Sequence, residues 1–236
     1  HINRVLSELV VLYLSLFIFS IYILPILINK LGVGIFLLSG VASLVLFWLF
    51  TLILRKLAKE KFRKSWAHIW LSVASIFAVI NILYFANLIP PIPLSLKDAG
   101  IYHAITRDSQ GNYLAVEEKQ TGFLHYISFR QKVHWIPGEA LYAYTAIFSP
   151  GSLSTRIVHE WQYKNDKGEW ITATRIPLFL SGGRSEGFRT FSTKFSLTPG
   201  IWRVNVETPR GQLLGRINFE VIKTITSPVL VNSPKD

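Results

Sequence analysis

Three stretches of this chain are nearly free of charge, and they restrict its fold more than any other feature. Residues 5–28 contain one formal charge, Glu8, while residues 31–54 and 65–96 contain none. A hydrocarbon core about 30 Å thick needs roughly 20 apolar residues rising about 1.5 Å each, so each stretch is long enough to cross a bilayer. Each also exceeds the roughly 7–15 apolar residues of a secretory signal. Three successive blocks of this purity do not suit helices buried in a large soluble core. Transmembrane helices are therefore expected at about 5–28, 31–54 and 65–87.

Charge placement supports this reading. The chain of 236 residues has a formal net charge of +11. Residues 55–64, "RKLAKEKFRK", hold six Lys/Arg against one Glu, so nearly half of the excess lies in ten residues between two apolar blocks. Concentrated there, positive charge is a topology signal rather than a nucleic-acid footprint, because basic loops stay on the cytoplasmic side. The third helix would then run outward, placing everything after "LIPPIPL" outside the cytoplasm, with nucleic acid excluded as a partner. Trp66 and Trp70 suit an interfacial belt, and Ser39 with Ser43 gives the second helix a small-residue face. No apolar block carries paired ionisable residues at depth, so an ion pathway is not expected within these helices. Absent cysteine rules out disulfides and thiolate chemistry. Absent methionine implies that His1 follows a cleavage or a missing upstream part.

Beyond the prolines at 90, 91 and 93, which give a stiff, extended exit, the periodicity changes from helical to two. "LYAYTAIF", "RIVHEWQY", "EWITATRI", "FRTFSTKFSL", "IWRVNVET" and "GRINFEV" are rich in β-branched and aromatic residues. Turn signals such as "IPGE", "NDKG", "SGGRSEG" and "TPRG" separate them. Seven to nine short strands without a helical stretch predict an all-β, immunoglobulin-like antiparallel sandwich over residues 100–223. Residues 88–99 form a proline-rich exit linker, and residues 224–236 a loose tail. Without a disulfide, aromatic burial must join the sheets, with Trp161, Trp170, Trp202, Phe191, Phe195 and Phe219 as core candidates.

The segments "IPPIPLSLKDAGIYH" (89–103), "HEWQY" (159–163), "GGRSEGFRT" (182–190) and "GIWRVNVETPRGQLLGRINFEV" (200–221) resemble the DUF2914 family over roughly residues 88–222. The resemblance implies a bacterial membrane-associated protein with a C-terminal extracytoplasmic β-domain after several helices. It implies no established activity. A bacterial inner-membrane protein with a periplasmic C-terminal domain is the corresponding expectation.

Candidate chemistry concentrates on arginines. If Pro209 occupies the second position of a four-residue turn, Glu207 pairs with Gln212, Asn205 with Leu214 and Arg203 with Arg216. Trp202, Val204 and Val206 would then face inward against Ile217, Gly215 and Leu213. Two arginines directly opposite each other repel unless something negative intervenes. Arg184, Glu186, Arg189, Arg203 and Arg216 are therefore the candidate binding residues. Two readings stand: an internal salt-bridge lattice with Glu186 and Glu160, or a site for a partner or for an anionic glycan or lipid headgroup. His103, His125, His134 and His159 show no metal-ligand spacing, and His159 shares its strand face with Ile157, Trp161 and Tyr163 as a packed core histidine would. Glu117 and Glu118 read as a solvated edge. No catalytic motif, metal site or cofactor site is legible.

The expected function is non-catalytic: helices that present a β-sandwich to a partner or envelope component, as an accessory or subunit of a membrane assembly. The alternative is the C-terminal part of a transporter or membrane enzyme whose working residues lie upstream, the β-domain acting as a cap.

Overall fold

The apolar blocks form helices α1 (Ile2–Ile28), α2 (Val33–Leu57) and α3 (Lys59–Phe85). The structure, a computed structural model, describes residues 2–57, 59–108, 112–119, 130–150, 155–180 and 188–235. All three helices are long and apolar enough to cross a membrane. The C-terminal ends of α1 and α3 have local causes. Asn29 and Asn87 adopt left-handed φ values of 54° and 57°, as asparagine caps do. The Leu88 amide donates to the Leu83 carbonyl at 2.9 Å, ending α3 near Phe85, two residues before the expected end. The basic stretch is not the loop that its composition suggests. Instead α2 runs to Leu57 and α3 begins at Lys59, so most of it extends the helices.

Packing among the helices uses one stripe of α1. Leu9, Tyr13, Phe17 and Ile21, four residues apart, are buried against α2 and α3. Phe17 and Phe77 close over Gly40, leaving no room for a β-carbon there. Ser39 and Ser43 are buried and return their hydroxyls to the Ile35 and Gly40 carbonyls of their own helix. Trp66 lies edge-on to Trp70 and beneath the Arg55 guanidinium, 5.1 Å from its ring centre.

The chain divides into two compact units, this helical one, mainly His1–Pro93, and a β-unit that comprises most of Leu94–Asp236. Among its described residues the β-unit has eleven strands: β1 (Ser95–Tyr102), β2 (Ala104–Arg107), β3 (Tyr113–Glu118), β4 (Gln131–Trp135), β5 (Leu141–Phe148), β6 (Thr155–Lys164), β7 (Trp170–Leu180), β8 (Phe188–Lys194), β9 (Gly200–Glu207), β10 (Leu213–Lys223) and β11 (Leu230–Lys235). They form three sheets, ordered β1-β5-β8, β4-β10-β9-β6-β7 and β11-β3-β2. The first two make an immunoglobulin-like sandwich around Ile101, Leu141, Ala143, Trp161, Trp202, Val204, Ile217 and Phe219. Every described pairing is antiparallel except β4 with β10.

The third sheet packs on the other face of β1-β5-β8, where Tyr102, Tyr144 and Ala146 meet Ile105 and Ala115. The β1-β5-β8 sheet is thus the middle layer, which explains "LYAYTAIF": a strand covered on both sides is apolar without alternation. Gln131 joins layers by imitating a strand, its side-chain amide donating to the Ile101 carbonyl at 2.7 Å and accepting from the Ile101 amide at 3.2 Å.

Several expectations need correction. Strand β1 begins at Ser95, inside the expected linker, and β11 lies inside the expected loose tail, paired with β3 along its whole length. Phe195 is 67 % exposed rather than core. Trp170 is half-buried on the outer face of the five-stranded sheet, and Phe191 packs beside the third sheet instead of between the first two. Trp161, Trp202 and Phe219 are core residues.

Candidate functional site

Alternation along β6, β9 and β10 turns one set of side chains inward and presents the other on the outer face of the five-stranded sheet. His159, Trp161, Trp202, Val204, Val206, Ile217 and Phe219 are buried in the sandwich, so Glu160, Gln162, Arg203, Asn205, Glu207 and Arg216 share the opposite face. These polar groups satisfy one another. Glu160 accepts from Thr172 Oγ1 at 2.9 Å, Asn205 Nδ2 at 3.0 Å and Arg175 Nη1 at 3.4 Å. Arg175 also donates to Glu207 at 2.6 Å. Arg203 Nε donates to Gln162 Oε1 at 2.6 Å, and Arg216 Nε to Asn205 Oδ1 at 2.7 Å. The Arg203 guanidinium stacks over Trp170, 4.0 Å from the ring centre.

The electrostatics follow from this packing. Burial and the neighbouring Glu160 charge raise the Glu207 carboxyl above its usual range, with Arg175 pulling the other way. Burial and the charge of Arg216 lower Arg203, and Glu160 partly offsets them. Among the described residues, Glu160 and Glu207 form their ion pairs with Arg175, whereas Arg203 and Arg216 are held by neutral amides. Arg216 is exposed.

The structure divides the five candidate residues. Arg184 and Glu186 lie outside the described residues. Arg189 belongs to a different sheet: it is buried on β8 opposite Ala146, on the side covered by the third sheet. Of the three described candidates, Arg203 and Arg216 share a face, and they are diagonal rather than opposite. Arg203 pairs with Asn218 and Arg216 with Asn205. The turn does place Pro209 second, with the Gly211 amide donating to the Thr208 carbonyl at 2.9 Å. However, Gly211 adopts φ 85° and Thr208 pairs with Gln212, adding one residue. A second irregularity between Leu213 and Gly215 adds another. From Gly215 onward, two added residues shift the register but preserve the face, so Trp202 meets Phe219 and Val206 meets Gly215, whereas Leu213, expected inward, pairs with Glu207 and is exposed.

An ion-pair lattice other than the expected one occupies this face. Its central cation is Arg175, absent from the sequence candidates, and its central anion is Glu160. An irregularity in β7 opposite Trp161/Gln162 breaks the alternation that would otherwise mark Arg175 as sharing a face with Glu160. Glu118 was also misplaced. It is not a solvated edge: its carboxylate bridges His103 Nε2 at 3.0 Å and His134 Nδ1 at 2.7 Å and accepts the His134 amide at 2.5 Å. Burial pushes the Glu118 carboxyl up, but these contacts outweigh it and leave it below the usual range. A cleft of about 300 Å³ lies beside His103, lined also by Glu139, Tyr142, Ser227 and Leu230. No group of three His, Cys, Asp or Glu among the described residues is arranged to hold a metal. His159 is fully buried, with Thr145 Oγ1 at 3.1 Å from Nε2 and Ser192 Oγ at 2.9 Å from Nδ1. His125 lies outside the described residues.

This outer face falls almost entirely within one segment with known relatives. Residues 154–221 match DUF2914, described as a protein of unknown function. No curated protein matches the chain. Among solved structures, an immunoglobulin-like protein from Pseudomonas aeruginosa is similar at 12 % identity and TM-score 0.30, covering 55 % of this chain and 96 % of that one. A β-glucosidase from Listeria innocua is similar at 14 % identity and TM-score 0.28, covering 48 % of this chain and 16 % of the enzyme. A Pseudomonas fluorescens alkylpurine DNA glycosylase is similar at 18 % identity and TM-score 0.28, over 40 % and 28 %. The chain thus spans a small part of both enzymes, and the match to DUF2914 covers the lattice residues without naming an activity.

Proposed function

We propose that this chain is a non-catalytic bacterial membrane protein whose DUF2914 β-domain lies on the extracytoplasmic side and binds an acidic protein partner as an accessory subunit of a membrane assembly. The observation that carries the reading is the state of Arg203 and Arg216. Both guanidiniums are aimed and held by hydrogen bonds to neutral amides, while Glu160 and Glu207 on the same face pair with Arg175. Burial and then the charge of Arg216 lower Arg203, and an external carboxylate would relieve the repulsion between the two arginines. Pre-organised arginines backed by tryptophan are suited to partner recognition. The basic stretch 55–64 supports the orientation, since it would remain cytoplasmic while α3 leads outward.

Gentle detergent extraction from native membranes, native electrophoresis and mass spectrometry of the band test this proposal. Co-migration with defined partners is expected, and R203Q/R216Q should dissociate them while the domain retains its near-ultraviolet circular dichroism. Migration as a lone chain or homo-oligomer overturns the proposal. So does an R203Q/R216Q variant that unfolds, because the arginines would then be structural.

A further inference from the structure

Strand register collects a second charged group at one end of the β-domain, away from the Arg203/Arg216 pair. Ser95, the first residue of β1, pairs with Phe148 at the end of β5, and Phe188 at the start of β8 pairs with Ile147. The Leu96 side chain touches Gly215, beside the β9–β10 turn that carries Arg210. On β6, Val158 pairs with Glu207, so Arg156 lies level with that same turn, opposite Phe179 of β7. Lys97, Arg156, Arg210 and Phe179 are exposed there, Phe179 at 66 %. Two of the cations sit over aromatic rings: Lys97 Nζ is 5.1 Å from the centre of Phe148, and Arg156 is 4.6 Å from that of Phe179. Among the described residues, Asp98 pairs with Lys235 at 3.9 Å and Glu207 with Arg175. At the opposite end, the Asn165–Glu169 turn mixes Asp166 and Glu169 with Lys167.

The chain enters the domain at this basic and aromatic end, because only residues 86–94 separate the last residue of α3 from Ser95. An exposed aromatic ring beside Lys and Arg, next in sequence to a membrane span, is the composition of a headgroup contact. We propose that this end of the β-domain binds anionic phospholipid headgroups. The exposed Phe179 ring enters the interface while Lys97, Arg156 and Arg210 neutralise lipid phosphates. Removing each charge should lower the ratio of docked to undocked domain about fivefold, so all three together change it on the order of a hundredfold.

The cysteine-free chain allows a direct test. The full chain carries an environment-sensitive dye at Pro209→Cys, or at Asp166→Cys as the distal control. It is placed in nanodiscs of phosphatidylcholine alone or with phosphatidylglycerol, and quenching by headgroup-level spin-labelled lipid is read. The dye at 209, and not at 166, should be quenched in anionic discs. Added salt should release it, as should K97Q/R156Q/R210Q with unchanged tryptophan fluorescence. The salt titration uses no charge variant, so it decides the matter even if the triple variant misfolds. Absence of quenching at 209, equal quenching in zwitterionic discs, or equal quenching at 166 overturns the proposal. Loss of partner co-migration in R203Q/R216Q involves other residues and does not bear on this outcome.

Discussion

At the residue scale, burial turns two polar side chains into structural commitments. Burial pushes the His159 imidazole down to about 3, far below an ordinary histidine. Between about pH 6.5 and pH 3 the unfolded chain therefore binds a proton at this residue that the folded chain does not. The stabilising contribution is complete above pH 6.5 and is lost as pH falls through that window, at up to about 1.4 kcal/mol per pH unit. Chemical denaturation of the wild type and His159→Gln between pH 7 and pH 5, where ordinary carboxylates stay ionised, should give a steeper loss for the wild type. Parallel curves would mean that His159 does not titrate as its burial requires. Glu160 makes the second commitment. Its carboxylate holds Thr172, Arg175 and Asn205 together, and Glu160→Ala strands their donors on a crowded face. A loss of about 2–4 kcal/mol in denaturant-measured stability is expected. The core role of His159 was legible because its neighbours on the strand face are apolar. The role of Arg175 was not, since it depends on how β7 bends past an irregular pair.

At the element scale, face and partner are separate pieces of information. The inward face of the β9–β10 hairpin was readable because alternation survives two added residues, while the pairing was not readable because each addition moves every partner by one. Which sheet buries which side is harder still. Arg189 and Arg203 look alike in sequence, yet β8 is in the middle layer and β9 in an outer one. Strand β11 escaped detection for a different reason: "LVNSPK" is polar and contains Pro234, so neither periodicity nor composition marks it. It nonetheless covers one edge of β3, and Lys235 reaches both Asp98 and the Tyr102 ring, 4.7 Å from its centre. Ending the chain after Ser227 should therefore lower the melting temperature by several degrees and promote association through the bared β3 edge, read by light scattering. A loose tail would give neither change.

At the scale of the whole molecule, the division into an apolar helical unit and a β-unit was legible because the two periods, 3.6 and 2, do not overlap in the chain. The third sheet was not legible, because nothing in a strand's own residues announces that a second layer will cover its back. The proposed orientation belongs to this scale as well, and it rests on charge rather than on packing. With Arg55 and Lys56 in the last turn of α2 and further basic residues opening α3, moving that end across a bilayer would carry several cations through hydrocarbon. The absence of cysteine makes the consequence measurable with single substitutions. Asp166 is exposed in the β6–β7 turn and Lys56 is exposed at the end of α2. In sealed right-side-out membrane vesicles, a membrane-impermeant maleimide should label Asp166→Cys at once and Lys56→Cys only after detergent is added. The reverse pattern would place the β-domain inside the cell, where an extracytoplasmic partner could not reach Arg203 and Arg216. Labelling of both before detergent would mean that the basic end is not retained on one side, removing the charge argument on which the orientation depends.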